Sequence, residues 1–420
     1  MTKIFKFGGA SVKDADAVKN VAGILKQFPS ENIVAVVSAM GKTTNALERL
    51  VEAHFAKKES VVEVLNEIKK YHFDILDKLF PDKSDRVHTE LHNTFVELDW
   101  AVEEEPAGDY DQVYDQVVSM GEIISSKIVA AYLKEAGLPV RWVDVRDIVK
   151  TDNTYREGKV EWNETEKLAR EKLGSKKNEI ILTQGFLGGT SENFTTTLGR
   201  EGSDYTAAIL AYCLDAESVT IWKDVPGVLN ADPKWFDETK LIDQLSYQDA
   251  IELAYYGATV IHPKTIKPLQ NKNIPLYVRS FVKPSEKGTV INDIQSPLPV
   301  PCFIFKVDQV LISLSPKDFS FIVEENFSDI FKLFARHGVK VNTMQNSAIS
   351  FSICVDSNPK KVPVLIRELQ EQYRVLYNEK VELITIRYYD QPTIDRVALG
   401  KIILLEVKSR YTVQLVVKNG

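Results

Sequence analysis

The sequence contains few cysteines, and they do not form a metal-binding pattern. Among 420 residues there are three, Cys213, Cys302 and Cys354, and they lie far apart along the chain. Their number is odd, and their spacing matches no zinc-binding motif. We therefore expect three buried, reduced thiols in a cytoplasmic protein, and we predict no side-chain metal site.

The sequence also lacks an excess of basic residues and a long apolar run. The formal net charge is -7 at pH 7, which argues against a protein that binds nucleic acid or an anionic membrane, since either needs a basic face. No apolar segment approaches the ~18 residues that a membrane helix requires, and the first residues do not form the apolar core of a signal peptide. The chain length predicts two or three domains.

What the sequence does contain is an alternation of strand-like and helix-like segments over residues 1–290. Apolar runs such as IFKF and NIVAVVS are each followed by small polar residues and then by an amphipathic helix. Residues 45–95 are mostly helical in pattern and fairly polar, as in a helical subdomain or lid. This alternation predicts an α/β fold with a mainly parallel sheet covered on both faces.

The pattern changes near a cluster of prolines. Pro297, Pro299 and Pro301 fall within a short stretch and predict a linker at residues 293–303. The segments that follow have the order βαββαβ, which is typical of a small antiparallel sheet with helices on one side.

The linker divides the chain into two predicted regions. The first is a domain at residues 1–292, and the second, residues 304–420, contains two small units at about 304–358 and 359–420. The second of these units is expected to be truncated, because little room is left for a helix between ITIRYYD and KIILLEV.

Two glycines, Gly8 and Gly9, follow the first strand, and Lys6 stands two residues before them. Glycines at the carboxyl end of a buried strand let the backbone approach a ligand, and backbone N–H groups there attract anions. A ligand-binding loop and a simple tight turn explain this pattern equally well. The nearby GKTT is not the end of a P-loop, because Val36 stands where that motif requires a glycine.

The most informative loop is TTTLGREGSDYTAA, which begins at Thr195. Arg200 lies between glycines just before a helix, where a guanidinium is well placed to bind a carboxylate with two hydrogen bonds. Ser203 as a helix cap and Asp204 near the positive helix end have an ordinary structural explanation.

Other loops carry polar side chains at equivalent places. Lys223 and Asp224 follow a strand directly, and Ser38 and Thr44 flank another strand-to-helix loop, where hydroxyls are more often helix caps than ligands. Open α/β sheets bind ligands at the edge where the carboxyl ends of neighbouring strands meet. We therefore expect these loops to cluster at one edge of the sheet.

A series of motifs, taken in order, resembles those of the aspartokinases. They are KFGGAS, similar to the usual KFGGTS, then VSMGE, TQGF, TTTLGREGSDYTAA, IWKDVPGV, ADP and YGATVIHPKT. The match covers residues 1–290, and the tail fits as well, because aspartokinases end in ACT domains. The resemblance implies an amino-acid-kinase three-layer sandwich with C-terminal ferredoxin-like ACT domains.

The resemblance also implies the reaction. ATP with Mg²⁺ would phosphorylate the side-chain carboxylate of L-aspartate to 4-phospho-L-aspartate, the first step towards lysine, threonine and methionine. That carboxylate has a pKa of about 3.9 and needs no general base at neutral pH. Because an anion must approach a triphosphate, positioning and charge neutralisation should carry catalysis.

Roles for individual residues follow from the same resemblance. The implied catalytic residues are Lys6, which would contact the transferred phosphate, and Asp204, which would orient catalytic groups or Mg²⁺. The implied substrate-binding residues are Ser38, Thr44, Glu122 for the ammonium, Arg200 for the α-carboxylate, and Ser203. The implied nucleotide-binding residues are Lys6, Gly8, Gly9, Ser11, Lys223, Asp224, Leu229, Lys234 and Thr259. Without the motif, Glu122 is better explained as a solvated helix carboxylate.

The sequence departs from the aspartokinase pattern at four positions near these residues. Ala10 replaces a threonine, Glu201 a glycine, Lys223 a threonine, and Thr259 a lysine common near the nucleotide. A carboxylate at position 201 would either repel ATP or point to solvent, and Lys223 would supply the charge missing at position 259. These changes concern nucleotide affinity more than the type of reaction.

The tail predicts a homodimer formed through the ACT region, with an amino acid as a candidate effector. The turn SPKDFSFIVEENFSD is acidic and lacks the small, glycine-bearing turn common where lysine binds. We therefore expect weak or altered feedback by lysine, and no nucleic-acid or membrane partner.

Two alternatives to an active aspartokinase remain open from the sequence. One is an amino-acid-sensing subunit that has lost the chemistry, and the other is a different amino-acid kinase, such as a glutamate kinase. The intact Lys6, Glu122, Arg200 and Asp204 favour an active enzyme. Because no dinucleotide-binding domain follows, we expect a monofunctional one.

Overall fold

The computed structural model describes residues 1–57, 60–81, 85–103, 105–106, 108–174, 178–236, 238–258, 261–294, 300–318 and 320–420 of the chain. They form two compact units. The first comprises Met1–Val228, Leu241–Ile251 and Val260–Gln295, and the second comprises Leu229–Lys240, Glu252–Thr259 and Ser296–Gly420.

Strands and helices alternate through most of the chain. The strands are β1 (Thr2–Phe7), β2 (Asn32–Val37), β3 (Val140–Trp142), β4 (Ile180–Gln184), β5 (Leu187–Gly189), β6 (Thr195–Thr197), β7 (Ser218–Lys223), β8 (Gln244–Ser246), β9 (Leu276–Ser280), β10 (Thr289–Asn292), β11 (Cys302–Pro316), β12 (Val341–Asn346), β13 (Phe351–Asp356), β14 (Tyr373–Arg387), β15 (Lys401–Lys408) and β16 (Thr412–Asn419). The helices are α1 (Ala15–Leu25), α2 (Thr43–Phe55), α3 (Ser60–Leu79), α4 (Asp85–Glu103), α5 (Tyr110–Val118), α6 (Met120–Glu135), α7 (Trp162–Lys172), α8 (Gly202–Cys213), α9 (Tyr247–Tyr256), α10 (Pro263–Asn271), α11 (Glu324–Arg336), α12 (Val362–Gln372) and α13 (Gln391–Ala398).

The main sheet of the first unit has the strand order β3-β4-β2-β1-β7-β9-β10-β8. Neighbouring strands are parallel except for the antiparallel pair β9 and β10. Consecutive residues of β2 and β4 are buried, so both faces of the sheet are covered. The predicted mainly parallel sheet is confirmed.

The strand register brings the functional loops to one edge of this sheet. Phe7 at the end of β1 is level with Val37 of β2 on one side and Trp222 of β7 on the other, and Val37 is level with Gln184 of β4. The loops that follow these four strands therefore emerge together, as expected from the pattern.

A layer of helices braces two of these loops. The predicted helical stretch at residues 45–95 is present as α2, α3 and α4. From α3, the Tyr71 hydroxyl donates to the carbonyl of Lys13, and the buried His72 ring lies 3.3 Å from the Thr43 hydroxyl. The loops after β1 and β2 are thus held by the same helix.

The second unit contains an antiparallel sheet with the order β12-β13-β11-β14-β16-β15. β11 and β14 pair along most of their length, so both strands run through the two halves of the sheet. One half packs against α11 and α12, and the other packs against α13. The order β11-α11-β12-β13-α12-β14 confirms the predicted βαββαβ pattern and the ACT-like fold class.

One expectation about the tail was wrong. A helix does fit between ITIRYYD and KIILLEV: α13 occupies Gln391–Ala398, and the side chain of Asp390 accepts a hydrogen bond from the backbone N–H of Thr393 at its start. The predicted linker includes residues 295–299, which lie outside the described residues, and its last residues begin β11 at Cys302. Within the described ranges, we find no helix long and apolar enough to cross a membrane.

Candidate active site

A cavity of about 870 Å³ lies at the carboxyl edge of the main sheet. Nine of the residues predicted to act in catalysis or binding line it: Lys6, Gly9, Ser38, Thr44, Glu122, Arg200, Ser203, Asp204 and Lys223. These nine residues therefore lie around one cavity, which is assembled from four loops and the start of α8.

Other predicted nucleotide-binding residues lie elsewhere. Gly8, Ser11 and Asp224 do not line the cavity, although each lies within two residues of one that does, Gly9 or Lys223. Leu229 and Lys234 belong to the second compact unit. Thr259 lies outside the described residues.

The centre of the cavity is a carboxylate between two lysines. Asp204 Oδ1 lies 2.6 Å from Lys6 Nζ, and Oδ2 lies 3.6 Å from Lys223 Nζ. Burial alone would raise the pKa of Asp204, but the charges of the two lysines outweigh burial and hold that pKa below its usual value. Asp204 therefore stays ionised and fixes both ammonium groups at the cavity.

The glycine pair after β1 is explained by close backbone packing. A Cβ on Gly9 would lie 2.9 Å from the carbonyl oxygen of Ala39, so only glycine fits without a shift. A Cβ on Gly8 would lie 3.3 Å from Lys6 Nζ. The Ser11 hydroxyl donates to the carbonyl of Trp222 and so ties this loop to β7.

Glu122 is buried in the first turn of α6 and is not the solvated carboxylate that its sequence context alone suggests. It is 3% exposed, and its Oε1 accepts a 3.3 Å hydrogen bond from the backbone N–H of Ala39. Its Oε2 is buried and has no hydrogen-bond partner among the described residues. Burial raises the pKa of Glu122 to about 8, although Ala39 N–H and the charge of Lys6 oppose that rise.

Arg200 and Glu201 form the turn that leads into α8. Arg200 is exposed and lines the cavity. Glu201 adopts a left-handed conformation with φ of 55° and occupies the N-cap position of α8. Ser203 lies within the first turn of the helix, so its suggested role as the cap was wrong.

The sequence analysis missed a group of residues that positions this loop. Asp115 of α5 is fully buried and accepts hydrogen bonds from Thr197 N–H (2.9 Å), Thr197 Oγ1 (2.7 Å) and Arg156 N–H (2.8 Å). Burial raises the pKa of Asp115, and these hydrogen bonds oppose that rise. The only sequence signal was an acidic residue within the largely apolar helix segment VYDQVV.

Arg156 contributes to the rim of the same cavity. Its guanidinium carbon lies 4.3 Å from the centre of the Tyr114 ring, and Nη1 lies 3.3 Å from Asp111 Oδ1. Tyr114 donates a 2.7 Å hydrogen bond to Glu48 Oε1. These side chains form one wall of the cavity. None of them belongs to the motifs named above.

The charges of the cavity suit a ligand that carries both signs. Two fixed ammonium groups can offset phosphate charge, and the buried carboxylate of Glu122 can pair with a ligand ammonium. The exposed guanidinium of Arg200 can bind a carboxylate. The arrangement can bring an amino acid and a phosphorylated ligand together.

The chain is similar in sequence to known kinases of amino acids. The amino acid kinase family matches residues 1–280. Lysine-sensitive aspartokinase 3 of Escherichia coli (strain K12) is 30% identical over 394 residues, which cover 91% of this chain and 86% of that protein. Aspartokinase 2, chloroplastic, of Arabidopsis thaliana is 31% identical over 405 residues, covering 92% and 72%. The chain spans 42% of the length of a bifunctional aspartokinase/homoserine dehydrogenase from the same plant.

Solved structures show the same likeness over the whole chain. Aspartokinase III of Escherichia coli in complex with lysine and aspartate has a TM-score of 0.83 at 27% identity, covering 100% of this chain and 96% of that one. Its complex with aspartate and ADP has a TM-score of 0.81 at 27% identity, covering 99% and 96%.

Proposed function

Since the chain belongs to the aspartokinases of the amino acid kinase family, which phosphorylate the side-chain carboxylate of L-aspartate with ATP, we propose that Lys6, Lys223 and Asp204 form its phosphoryl-transfer centre. The observation that carries the proposal is the Asp204 carboxylate held between two lysines inside the cavity that Glu122 also lines. This activity is the first step of the aspartate-derived amino-acid pathway.

The transfer needs charge neutralisation more than proton transfer. An oxygen of the ionised aspartate carboxylate attacks the γ-phosphorus, and the bond from that phosphorus to the ADP oxygen breaks. Lys6 would contact the moving phosphoryl group and offset its charge. Asp204 would orient Lys6 and Lys223, since a fixed ammonium group loses little energy to reorganisation during the reaction.

Two charged side chains would hold the amino-acid substrate by the two charged groups on its α-carbon, which leaves the side-chain carboxylate to react. Glu122 would accept the ammonium, because its Oε2 is buried without a protein partner and an incoming cation would satisfy it. Arg200 would bind the α-carboxylate. Ser38, Thr44 and Ser203 line the same cavity and would complete the aspartate pocket.

The nucleotide would bind at the loops that carry Lys6, Gly8, Gly9 and Ser11 and at the segment after β7. The complex of Escherichia coli aspartokinase III with aspartate and ADP supports a nucleotide as a ligand. Lys223 would contact phosphate, and the remaining predicted contacts, which stay proposals, are Asp224, Leu229, Lys234 and Thr259.

A Mg²⁺ ion fits the donor set of the cavity. The lining contains six acidic and four basic side chains, so a tetra-anionic nucleotide would need a cation to enter. Within the described residues no group of three His, Cys, Asp or Glu side chains could hold a metal, so nucleotide phosphates would supply most ligands. When bound, Mg²⁺ would withdraw charge from the phosphates.

The second unit would serve dimerisation and regulation. β12 is an edge strand and exposes Met344, which is typical of a surface that pairs with a second copy. We propose a homodimer through this unit, with weak or altered feedback by lysine. Light scattering would test the dimer, and micromolar lysine binding by calorimetry would overturn the weak feedback.

The buried free thiols of Cys213, Cys302 and Cys354 support a cytoplasmic setting.

Trapping of aspartyl phosphate as its hydroxamate tests the proposal directly. Purified protein, Mg-ATP, L-aspartate and hydroxylamine should yield product, and leaving out either substrate should abolish it. L-glutamate in place of L-aspartate is the specificity control. A folded protein that binds L-aspartate but forms no hydroxamate would favour an amino-acid-sensing subunit instead.

A further inference from the structure

Glu201 occupies a backbone position that ordinarily favours glycine. Its φ of 55° lies in the left-handed region, which disfavours side chains with a Cβ. The residue stands between Arg200 and the first turn of α8, and it lines the active-site cavity. A strained residue at such a place points to a function for its side chain.

The usual structural role of an acidic residue at this position does not apply. Glu201 is the N-cap residue of α8, but its side chain makes no capping hydrogen bond to the helix. Its Oε2 is buried and has no hydrogen-bond partner among the described residues. Oε2 therefore lacks the partner that a buried oxygen needs, and a ligand in the cavity would supply one.

The charges around it decide what that ligand is. Four basic side chains line the cavity: Lys6 and Lys223 are paired with Asp204, Arg156 is paired with Asp111, and Arg200 forms no ion pair with Glu201 among the described residues. A carboxylate oxygen only accepts hydrogen bonds or coordinates cations, and an unpaired carboxylate in a site that receives phosphates would repel them. A cation between the carboxylate and the phosphates turns that repulsion into attraction.

We propose that Glu201 is a ligand of the divalent cation that accompanies the nucleotide. The inference rests on the proposed function, in which Glu122 already serves the substrate ammonium. Mg²⁺ is commonly held by one or two protein carboxylates together with substrate phosphates, and one carboxylate at the edge of a phosphate site meets that need.

Direct metal binding tests this role. Mn²⁺ binding in the presence of ADP is measured by electron paramagnetic resonance for the wild type, for Glu201→Gln and for Glu201→Gly. Both variants should bind Mn²⁺ at least about tenfold more weakly, while ADP binding without metal stays equal or becomes tighter. Glu157→Gln removes another acidic side chain from the same cavity and should change Mn²⁺ affinity less than about twofold.

Three results would overturn the proposal. The first is Mn²⁺ affinity in Glu201→Gln equal to that of the wild type, and the second is no ADP-dependent Mn²⁺ binding in the wild type. The third is a variant that loses affinity for L-aspartate but not for succinate, which lacks the ammonium, since that result assigns Glu201 to the substrate. If the wild type forms no hydroxamate yet Glu201→Gln weakens Mn²⁺ binding, the proposed function fails and the metal role stands.

Discussion

Aspartate binding should depend on pH through the buried carboxylate of Glu122. Burial raises its pKa to about 8, from an ordinary value of 4.5. The ionised fraction is then about 9% at pH 7 and about 91% at pH 9. Since only the ionised form attracts an ammonium, the apparent affinity for L-aspartate should rise about tenfold between these two pH values.

Binding should also release a proton. When the substrate ammonium pairs with Glu122, the charged carboxylate is favoured and its pKa falls. At pH 7 about 0.9 proton should leave per aspartate bound, and near pH 9 only about 0.1. Titration calorimetry in two buffers of different ionisation enthalpy measures the affinity and the proton count together.

The variant Glu122→Gln separates this effect from titration of the substrate. The amide cannot ionise but can still accept the hydrogen bond from Ala39 N–H. The variant should bind L-aspartate about 10–100-fold more weakly than the wild type at pH 9, because a buried charge-assisted contact is lost. At pH 6 the two proteins should differ little, since Glu122 is then protonated. Wild-type affinity that is flat from pH 6.5 to 8.5, without proton release, would refute the reasoning.

Three further substitutions test other parts of the site. Lys6→Ala should lower hydroxamate formation by at least about 100-fold with little change in aspartate affinity by calorimetry, and equal losses of both would contradict its place at the phosphoryl group. Arg200→Ala should raise the aspartate concentration for half-maximal rate by about 10–100-fold, and unchanged saturation would place the α-carboxylate elsewhere. Gly9→Ala puts a Cβ 2.9 Å from the Ala39 carbonyl oxygen and should destabilise the protein by ~1–3 kcal/mol in urea unfolding. In the matched variant Gly23→Ala the Cβ meets nothing within 4 Å, so it should stabilise α1 by ~0.5–1 kcal/mol, and equal effects of the two alanines would disprove the steric argument.

The fold was predictable where a segment determines its own structure. NIVAVVS is apolar and β-branched, and as β2 it is buried on both faces, which only a parallel sheet with helices on both sides provides. The helix α13 was missed because QPTIDRVA is short and contains a proline. Pro392 falls in the first turn, where its missing N–H costs nothing, and Asp390 caps the helix. Eight residues between strands are therefore enough for a helix.

The sequence motifs pointed to candidate residues for the site, but they did not predict which side chains are buried, what they contact or how their pKa values shift. Lys6, Arg200 and Asp204 could be recognised in sequence because each lies in a short motif. Asp115 could not, because its contact with Thr197 joins residues 82 positions apart. The raised pKa of Glu122 also depends on burial in the folded chain, which a solvated helix carboxylate would not show.

Two departures from the aspartokinase motifs have opposite charges and lie in one cavity. Lys223 stands where threonine is usual, and its ammonium lies 3.6 Å from Asp204. Glu201 stands where glycine is usual, at a φ of 55° that glycine would adopt without strain. Together they leave the formal charge of the cavity as it would be with threonine and glycine, whereas either alone would change it by one charge. The formal charge of the cavity is therefore the same as with the usual residues, although both residue types differ, and within the described part of the chain Glu201 still has no cationic partner of its own because Lys223 is paired with Asp204.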